Sequence, residues 1–422
     1  MKSGNGRAIA IALVTFLILI AAAAFRSSFG VMIVPIEDDL GWARIATSIA
    51  VSVNLVVYGL TAPFAAALME RFGIKRIAIA ALLLMALGTG LTTVMNAAWQ
   101  LSLLWGVFMG LGTGATALVF GSLIASRWFA TKRGLVMGVF GAAWATGQLV
   151  FIPILTKIVE SSGWRSASVL ICVMTLVLIP IVYFVFVDRP SDLGLRPFGA
   201  TSEDDASPDP GTRRGALSTL AMASKTGAFW ILAGTFFVCG WTTNGIISTH
   251  FIPAAHDHAM PATTAATLLA IVGIADIIGT IGSGWLSDRV DPRILLFVYY
   301  GLRGLALLAF PTMLGPSINP PLLVVMIFFG LDWVATVPPT VMLCQRIYGP
   351  ELGSVVFGWV FASHMVGAAA SSAVTGIIRS MTGDYSIAWF LAGATALLAA
   401  AAALLIPLSA RYGPDRGKAL VT

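Results

Sequence analysis

Twelve apolar runs dominate this chain: 8–34, 45–69, 77–96, 99–126, 134–156, 166–187, 228–252, 263–286, 294–314, 319–345, 354–378 and 385–409. A helix needs roughly 20 apolar residues to cross the hydrocarbon core of a bilayer. Apolar residues fall on all faces of most runs, as expected of helices surrounded by lipid and protein. Of the 422 residues, 58% are hydrophobic and 10% charged. An ordinary soluble domain carries about 25% charged residues, so this chain could not cover a water-facing surface. The sequence therefore predicts an all-α membrane protein with 12 transmembrane helices. The first run follows Lys2 and Arg7 and extends past Arg26 to about Pro35. That is too long for a cleaved leader, so it is read as an uncleaved first span.

One long polar segment, 188–227, interrupts the pattern. It contains Thr201-Ser-Glu-Asp-Asp-Ala-Ser-Pro-Asp-Pro210, which has too little apolar surface to fold by itself. It divides the chain into an N-terminal six-helix bundle (1–187), a cytoplasmic linker (188–227) and a C-terminal six-helix bundle (228–422) with a short cytoplasmic tail. The net charge of +6 sits in short turns, which argues for topology and against nucleic acid as a partner. With the N-terminus inside, 19 Lys and Arg residues fall on the inner side and only Arg44, Lys157, Arg165 and Arg379 on the outer. Both termini are thus expected in the cytoplasm, and the protein is expected in the cytoplasmic (inner) membrane.

Cys172, Cys239 and Cys344 each lie in an apolar run, with no metal-ligand spacing and no disulfide framework. No G-x-x-x-x-G-K-[ST] run is present, so direct coupling to ATP is not expected. No cofactor or metal is implied. An enzyme would need a surface constellation, and His250, His256, Asp257 and His258 are the only candidates, too few for a metal site.

The charged turns carry an internal repeat. Ala66-Ala-Leu-Met-Glu-Arg-Phe-Gly-Ile-Lys-Arg76 returns as Gly284-Trp-Leu-Ser-Asp-Arg-Val-Asp-Pro-Arg293, with Glu70 and Asp288 standing 218 positions apart. Gly110-Leu-Gly-Thr-Gly-Ala-Thr116 matches Gly330-Leu-Asp-Trp-Val-Ala-Thr336, and Gly134 falls on Gly353. A repeat of this length built from apolar spans points to a transporter made of two related bundles. Gly106, Gly110 and Gly114, and again Gly134 and Gly138, are spaced by four, giving small faces on which helix backbones approach closely.

These residues resemble the major facilitator superfamily, whose signature turn reads roughly G-x-x-x-D-R-x-G-R-R. Here it stands as Ala66, Glu70, Arg71, Gly73, Lys75 and Arg76, and the second copy keeps Gly284, Asp288 and Arg289. The resemblance implies two six-helix pseudo-symmetric bundles and transport by alternating access. A finer likeness is to the monocarboxylate and oxalate–formate porters. It rests on Arg127-Trp-Phe-Ala-Thr-Lys-Arg-Gly-Leu-Val-Met-Gly138 running on to Gly147, on Asp39-Leu-Gly-Trp42, and on Arg26 in span one. Those porters carry an arginine four residues after an aspartate in span eight; here Asp276 is followed by Thr280. The function implied is secondary transport of a small, monocarboxylate-like organic anion, coupled to a proton, by a monomer in the lipid bilayer. Export of a hydrophobic drug-like solute, anion exchange, and a non-transporting receptor remain alternatives.

Three sets of residues are expected to carry this mechanism. Arg26 is a candidate anchor for a carboxylate. On the spans that line the cavity in this family, Asn54, Tyr58, Trp144, Gln148, Trp241, Asn244 and His364 fill out a mixed aromatic and polar pocket. Gly240 and Gly245 bracket Thr242-Thr-Asn244, which suggests a break in span seven. Asp276 and Arg303 lie at matching depths in spans eight and nine and are expected to pair, as a fixed ion pair or as a proton site, with Asp332 near them. At the inner turns, Glu70 and Arg71 with Arg133, and Asp288 and Arg289 with Arg346, are expected to form ion pairs that hold the inner side closed.

Overall fold

A computed structural model describes residues 2–3, 5–42, 44–200 and 215–407. Expectations that rest on 201–214, on the tail 408–422 and on the Arg26 side chain lie outside the described residues. The chain is almost wholly helical. Among the described residues, ten helices are long and apolar enough to cross a membrane, or eleven if the bent pair Ala216–Ala223 and Gly227–Gly245 is one span. The first helix, Asn5–Leu40, runs past Pro35, where the sequence suggested it would end.

Expected spans five and six are joined in the 53-residue helix Arg133–Val185, broken at Gly163 (φ 79°). Val337–Thr382 is likewise broken at Gly349 (φ 83°). Both breaks use a left-handed backbone that glycine adopts without a Cβ clash. Expected span seven turns through the π-helical stretch Trp241–Gly245 between Gly227–Gly240 and Ile247–Asp257. The break expected there is a widened turn rather than an opening of the helix. Helix starts are set locally. Thr226 accepts a hydrogen bond from the Phe229 N–H, and Asn319 caps the Leu322 N–H with Pro320 and Pro321 at the first helical positions.

By proximity of the backbone the chain forms two units, Met1–Arg133 with Ala143–Ser218, and Gly134–Ala142 with Thr219–Thr422. In the first unit, Gly106, Gly110 and Gly114 lie against Val53, Val57, Tyr58 and Thr61 of the Arg44–Phe72 helix. This is the close, small-residue packing by which helices associate without a hydrophobic drive between them.

Residues 188–200 are docked on this unit. Phe198 N–H donates to Trp128 O at 2.8 Å, Ala130 N–H to Phe198 O at 3.0 Å, and Leu195–Arg196 pairs in parallel with Lys2–Ser3. This part of the expected linker is therefore ordered by backbone hydrogen bonds.

The second unit is centred on Phe251, Phe310, Met326, Phe329 and Trp389, with the Phe310 and Trp389 rings 4.8 Å apart. The short segment 134–142 belongs here because Gly138 meets Thr280, Ile281 and Gly284 so closely that neither Gly138 nor Gly284 has room for a Cβ. In both units large apolar side chains such as Leu13, Val56, Phe184, Trp230 and Leu398 point outward. An apolar exterior of that extent suits lipid rather than water.

Candidate functional site

The second unit holds a buried charge cluster. Arg303 comes from Pro292–Ala309, Asp332 from the last turn of Pro320–Asp332, and Asp276 from Ala262–Ser287. All three are at most 2% exposed. Arg303 Nε donates to Asp332 Oδ2 at 2.5 Å. Nη2 donates to the backbone oxygens of Asp332 (2.6 Å) and Trp333 (3.4 Å), and Nη1 to Thr242 Oγ1 (3.3 Å) and the Cys239 sulfur (3.4 Å). A guanidinium has five N–H donors, and here each meets an acceptor.

The expected Asp276–Arg303 pair is therefore replaced by Arg303–Asp332. Residue count gives depth along a helix but not the direction a side chain faces. The chain also unwinds after Asp332, freeing the carbonyls of Asp332 and Trp333 that capture the guanidinium. Asp276 Oδ1 instead accepts from Thr280 Oγ1 at 2.7 Å and from the Val334 N–H at 3.0 Å. Thr280, which stands where the resembling porters carry arginine, thus donates a neutral hydrogen bond.

Beside this cluster the π-helical stretch presents Trp241 and Asn244. Asn244 Nδ2 lies 3.3 Å from His364 Nε2. The His364 ring is packed between Phe236 (5.0 Å) and Phe361 (5.9 Å, nearly parallel) and is buried. The structure thus brings Trp241, Asn244 and His364 together with Arg303 and Asp332 in one unit. Of the other histidines, His250 Nε2 lies 2.9 Å from Ser372 O, and His258 Nδ1 2.9 Å from Ala254 O. Among the described residues no group of three or more His, Cys, Asp or Glu side chains could hold a metal ion.

In the first unit, Tyr58 is buried while Trp144 and Gln148 are half-buried. Asn54 is buried too, and its Nδ2 donates to Trp105 O at 2.9 Å. That bond ties two helices together and uses one N–H of the Asn54 amide.

The turns also differ from expectation. Glu70 pairs with Arg127 at 2.5 Å, both largely buried, whereas Arg133 Nε donates to Phe129 O. Arg127 Nη1 also reaches Asp188 O at 3.4 Å, and Asp188 Oδ1 accepts from the Lys75 N–H at 2.9 Å. Asp288 does not pair with Arg346; its two carboxylate oxygens accept the N–H groups of Gly134 (2.7 Å) and Leu135 (2.9 Å). A carboxylate at these free amides also meets the positive end of the helix dipole. Arg289 lies over the Trp285 ring at 4.0 Å and Arg71 over Phe72 at 5.2 Å. Arg127 was visible in the sequence only as part of an aromatic and basic run, and nothing in spacing marked it as the partner of Glu70.

Besides the local Asp291–Arg293 pair at 2.8 Å, two ion pairs between distant segments were missed. Asp39 Oδ2 takes hydrogen bonds from Arg165 Nη1 (2.6 Å) and Trp164 Nε1 (3.2 Å), and Asp257 pairs with Arg379 at 2.7 Å. These bonds, that from Arg165 above all, hold the Asp39 carboxyl below its ordinary value of 3.8. A signal existed: Asp39 and Asp257 stand 218 positions apart, the same offset as Glu70 and Asp288.

Comparison with known proteins follows the same lines. The family model of the Major Facilitator Superfamily matches residues 15–372. The chain is 26% identical over 388 residues to the uncharacterised MFS-type transporter YcxA of Bacillus subtilis, with 88% of each chain covered. It is 25% identical over 390 residues to monocarboxylate transporter 13 of Rattus norvegicus, covering 90% of this chain and 84% of that one. The solved human organic anion transporter MFSD10 superposes with a TM-score of 0.73 at 13% identity, covering 94% of this chain and 99% of that one.

Proposed function

Because this chain belongs to the major facilitator superfamily, we propose that it is a proton-coupled secondary transporter of a small organic anion of the monocarboxylate type. Its relatives are transporters, not enzymes, and its many apolar helices make it a multi-pass membrane protein. In this reading it works as a monomer by alternating access, in the cytoplasmic (inner) membrane with both termini inside. The reading takes twelve spans, in bundles 1–187 and 228–422 joined by the linker 188–227; the break of Arg133–Val185 at Gly163 supports counting that helix as two.

One observation carries the coupling. Two buried carboxylates, Asp276 and Asp332, lie in one cluster with a single buried guanidinium, Arg303, which pairs with Asp332 while Asp276 is held by Thr280 and the Val334 N–H. Unpaired charge is expensive in such surroundings, and a single proton makes the cluster neutral. Taking up and releasing that proton is the coupling step. Arg303 has every N–H committed, so it has none to offer a substrate carboxylate. The anchor for the anion is Arg26, with Asn54, Tyr58, Trp144, Gln148, Trp241, Asn244 and His364 as the remaining binding set. Glu70 with Arg127, and Asp288 on the amides of Gly134 and Leu135, act as latches of the inner gate, together with Arg71, Arg133, Arg289 and Arg346.

Radiolabelled two- to four-carbon monocarboxylates presented to proteoliposomes, with and without a pH gradient, test this. Uptake that rises with an inward proton gradient and disappears in Asp276→Asn is expected. Gradient-independent uptake in the unaltered protein would remove the proton from the mechanism.

A further inference from the structure

At the end of the first unit that carries the charged turn, two cations flank an exposed aromatic pair. Tyr183 and Phe184, in the last turn of Arg133–Val185, are 56% and 74% exposed, with their rings 5.2 Å apart edge to face. Arg7, near the start of Asn5–Leu40, donates from Nη2 to Phe184 O at 3.1 Å. Lys75, in the first turn of Ile74–Thr92, holds its Nζ 4.4 Å from the centre of the Tyr183 ring. Three helices thus bring two positive side chains to either side of one aromatic edge.

Neither cation is matched by an acid among the described residues. The Arg7 side chain bonds only Phe184 O, and its buried Nε has no partner there. Buried N–H groups are nearly always satisfied by protein, water or a ligand. Lys75 Nζ has three donors and only the face of Tyr183 before it. The nearby acids are engaged: Asp188 Oδ1 takes the Lys75 N–H, and Glu70 pairs with Arg127.

The surface beside this pair decides what kind of anion reaches it. On the same helix as Phe184, Val173 and Val177 are exposed, and at spacings of four and seven residues the three side chains fall on one face. Ile74–Thr92 likewise exposes Leu83, Leu87 and Leu91. These apolar faces suit acyl chains, and a tyrosine with basic residues at their end marks the level of the headgroups. A free anion would use the cations alone, whereas a phospholipid uses both surfaces.

We propose that Arg7 and Lys75 hold the phosphate of an anionic phospholipid whose acyl chains lie along the exposed faces of spans three and six. Arg7 Nε and Lys75 Nζ supply the donors, and Tyr183 keeps the ammonium at the depth of the headgroup. The lipid fastens the ends of spans one, three and six to one another. This needs the membrane-spanning fold alone and does not depend on the solute carried or on proton coupling.

Native mass spectrometry of the full chain in detergent tests it, with phosphatidylglycerol and phosphatidylcholine of the same acyl chains as probes. The unaltered protein is expected to bind phosphatidylglycerol about tenfold more tightly than phosphatidylcholine, and each cation removed should weaken it about fivefold. Lys75→Gln is the first variant, and Arg7→Gln with Lys75→Gln should lose about twentyfold or more. Because Lys75 Nζ touches only a ring face, Lys75→Gln still decides the matter if the Arg7 variant does not fold. Lys75→Arg should bind as the unaltered protein does. Lys225→Gln removes the same charge from an exposed position elsewhere and should stay within about twofold. Equal binding of the two lipids, full binding by Lys75→Gln, or equal loss in Lys225→Gln overturns the site. Displacement of the bound lipid by millimolar inorganic phosphate would show a free-anion site and overturn the lipid.

Discussion

Arg303 and Asp332 form an ion pair whose side chains are 0% and 2% exposed, with Nε 2.5 Å from Oδ2. The pair joins two helices, and it fixes the irregular stretch after Asp332 because the same guanidinium holds two backbone carbonyls there.

Removing one partner should therefore be worse than removing both. Arg303→Ala leaves a buried carboxylate unpaired and should cost about 3–5 kcal/mol. Arg303→Met with Asp332→Leu should recover most of that, since well-packed apolar replacement of a buried pair is often near neutral. Thermal unfolding in detergent measures both. Equal destabilisation by the single and double variants would show that the pair does not set the stability of this region.

Glu70 and Arg127 should be coupled in the same way, more weakly, because their side chains are 12% and 8% exposed. A double-mutant cycle with Glu70→Gln and Arg127→Met should give an interaction of about 1–2 kcal/mol. The matching cycle with Arg133→Met should give an interaction near zero. A large coupling to Arg133 would restore the partner suggested by the sequence.

The Asp39 carboxyl sits below its ordinary 3.8 because Arg165 and Trp164 hydrogen-bond its charged form. A depressed carboxyl contributes stability above its unfolded value, and this is lost as pH falls through the folded value. The contribution should be constant from pH 7 down to about 5 and fade below 3.8. Asp39→Asn should flatten that acid limb of the melting temperature. Because the pair is exposed, the change should be small and weaken with salt.

Arg26 separates the anion reading from export of an apolar solute. Arg26→Lys keeps the charge but loses the bidentate fork, so monocarboxylate uptake should fall about tenfold or more, the worth of one charge-assisted contact. Arg26→Ala should abolish it. Retained transport in Arg26→Ala would favour the apolar substrate.

Much of the site was legible because it repeats or because it is costly. Glu70 and Asp288 stood out as copies of one turn, and Asp276, Arg303 and Asp332 as ionisable groups in apolar runs. Their partners were not legible. Arg127 rather than Arg133 meets Glu70, and two backbone amides rather than Arg346 meet Asp288. The bond from Asn54 to the Trp105 carbonyl was equally hidden, because a backbone partner leaves no side-chain pattern.

The sequence by itself determined that this chain is helical and built for lipid, and that it carries a duplicated charged turn. Those properties follow from run length, periodicity and a fixed rise per residue. Only the tertiary structure decided which carboxylate receives Arg303, because that depends on how the helices are rotated and on the unwound turn after Asp332. Both are set by contacts between segments far apart in the chain.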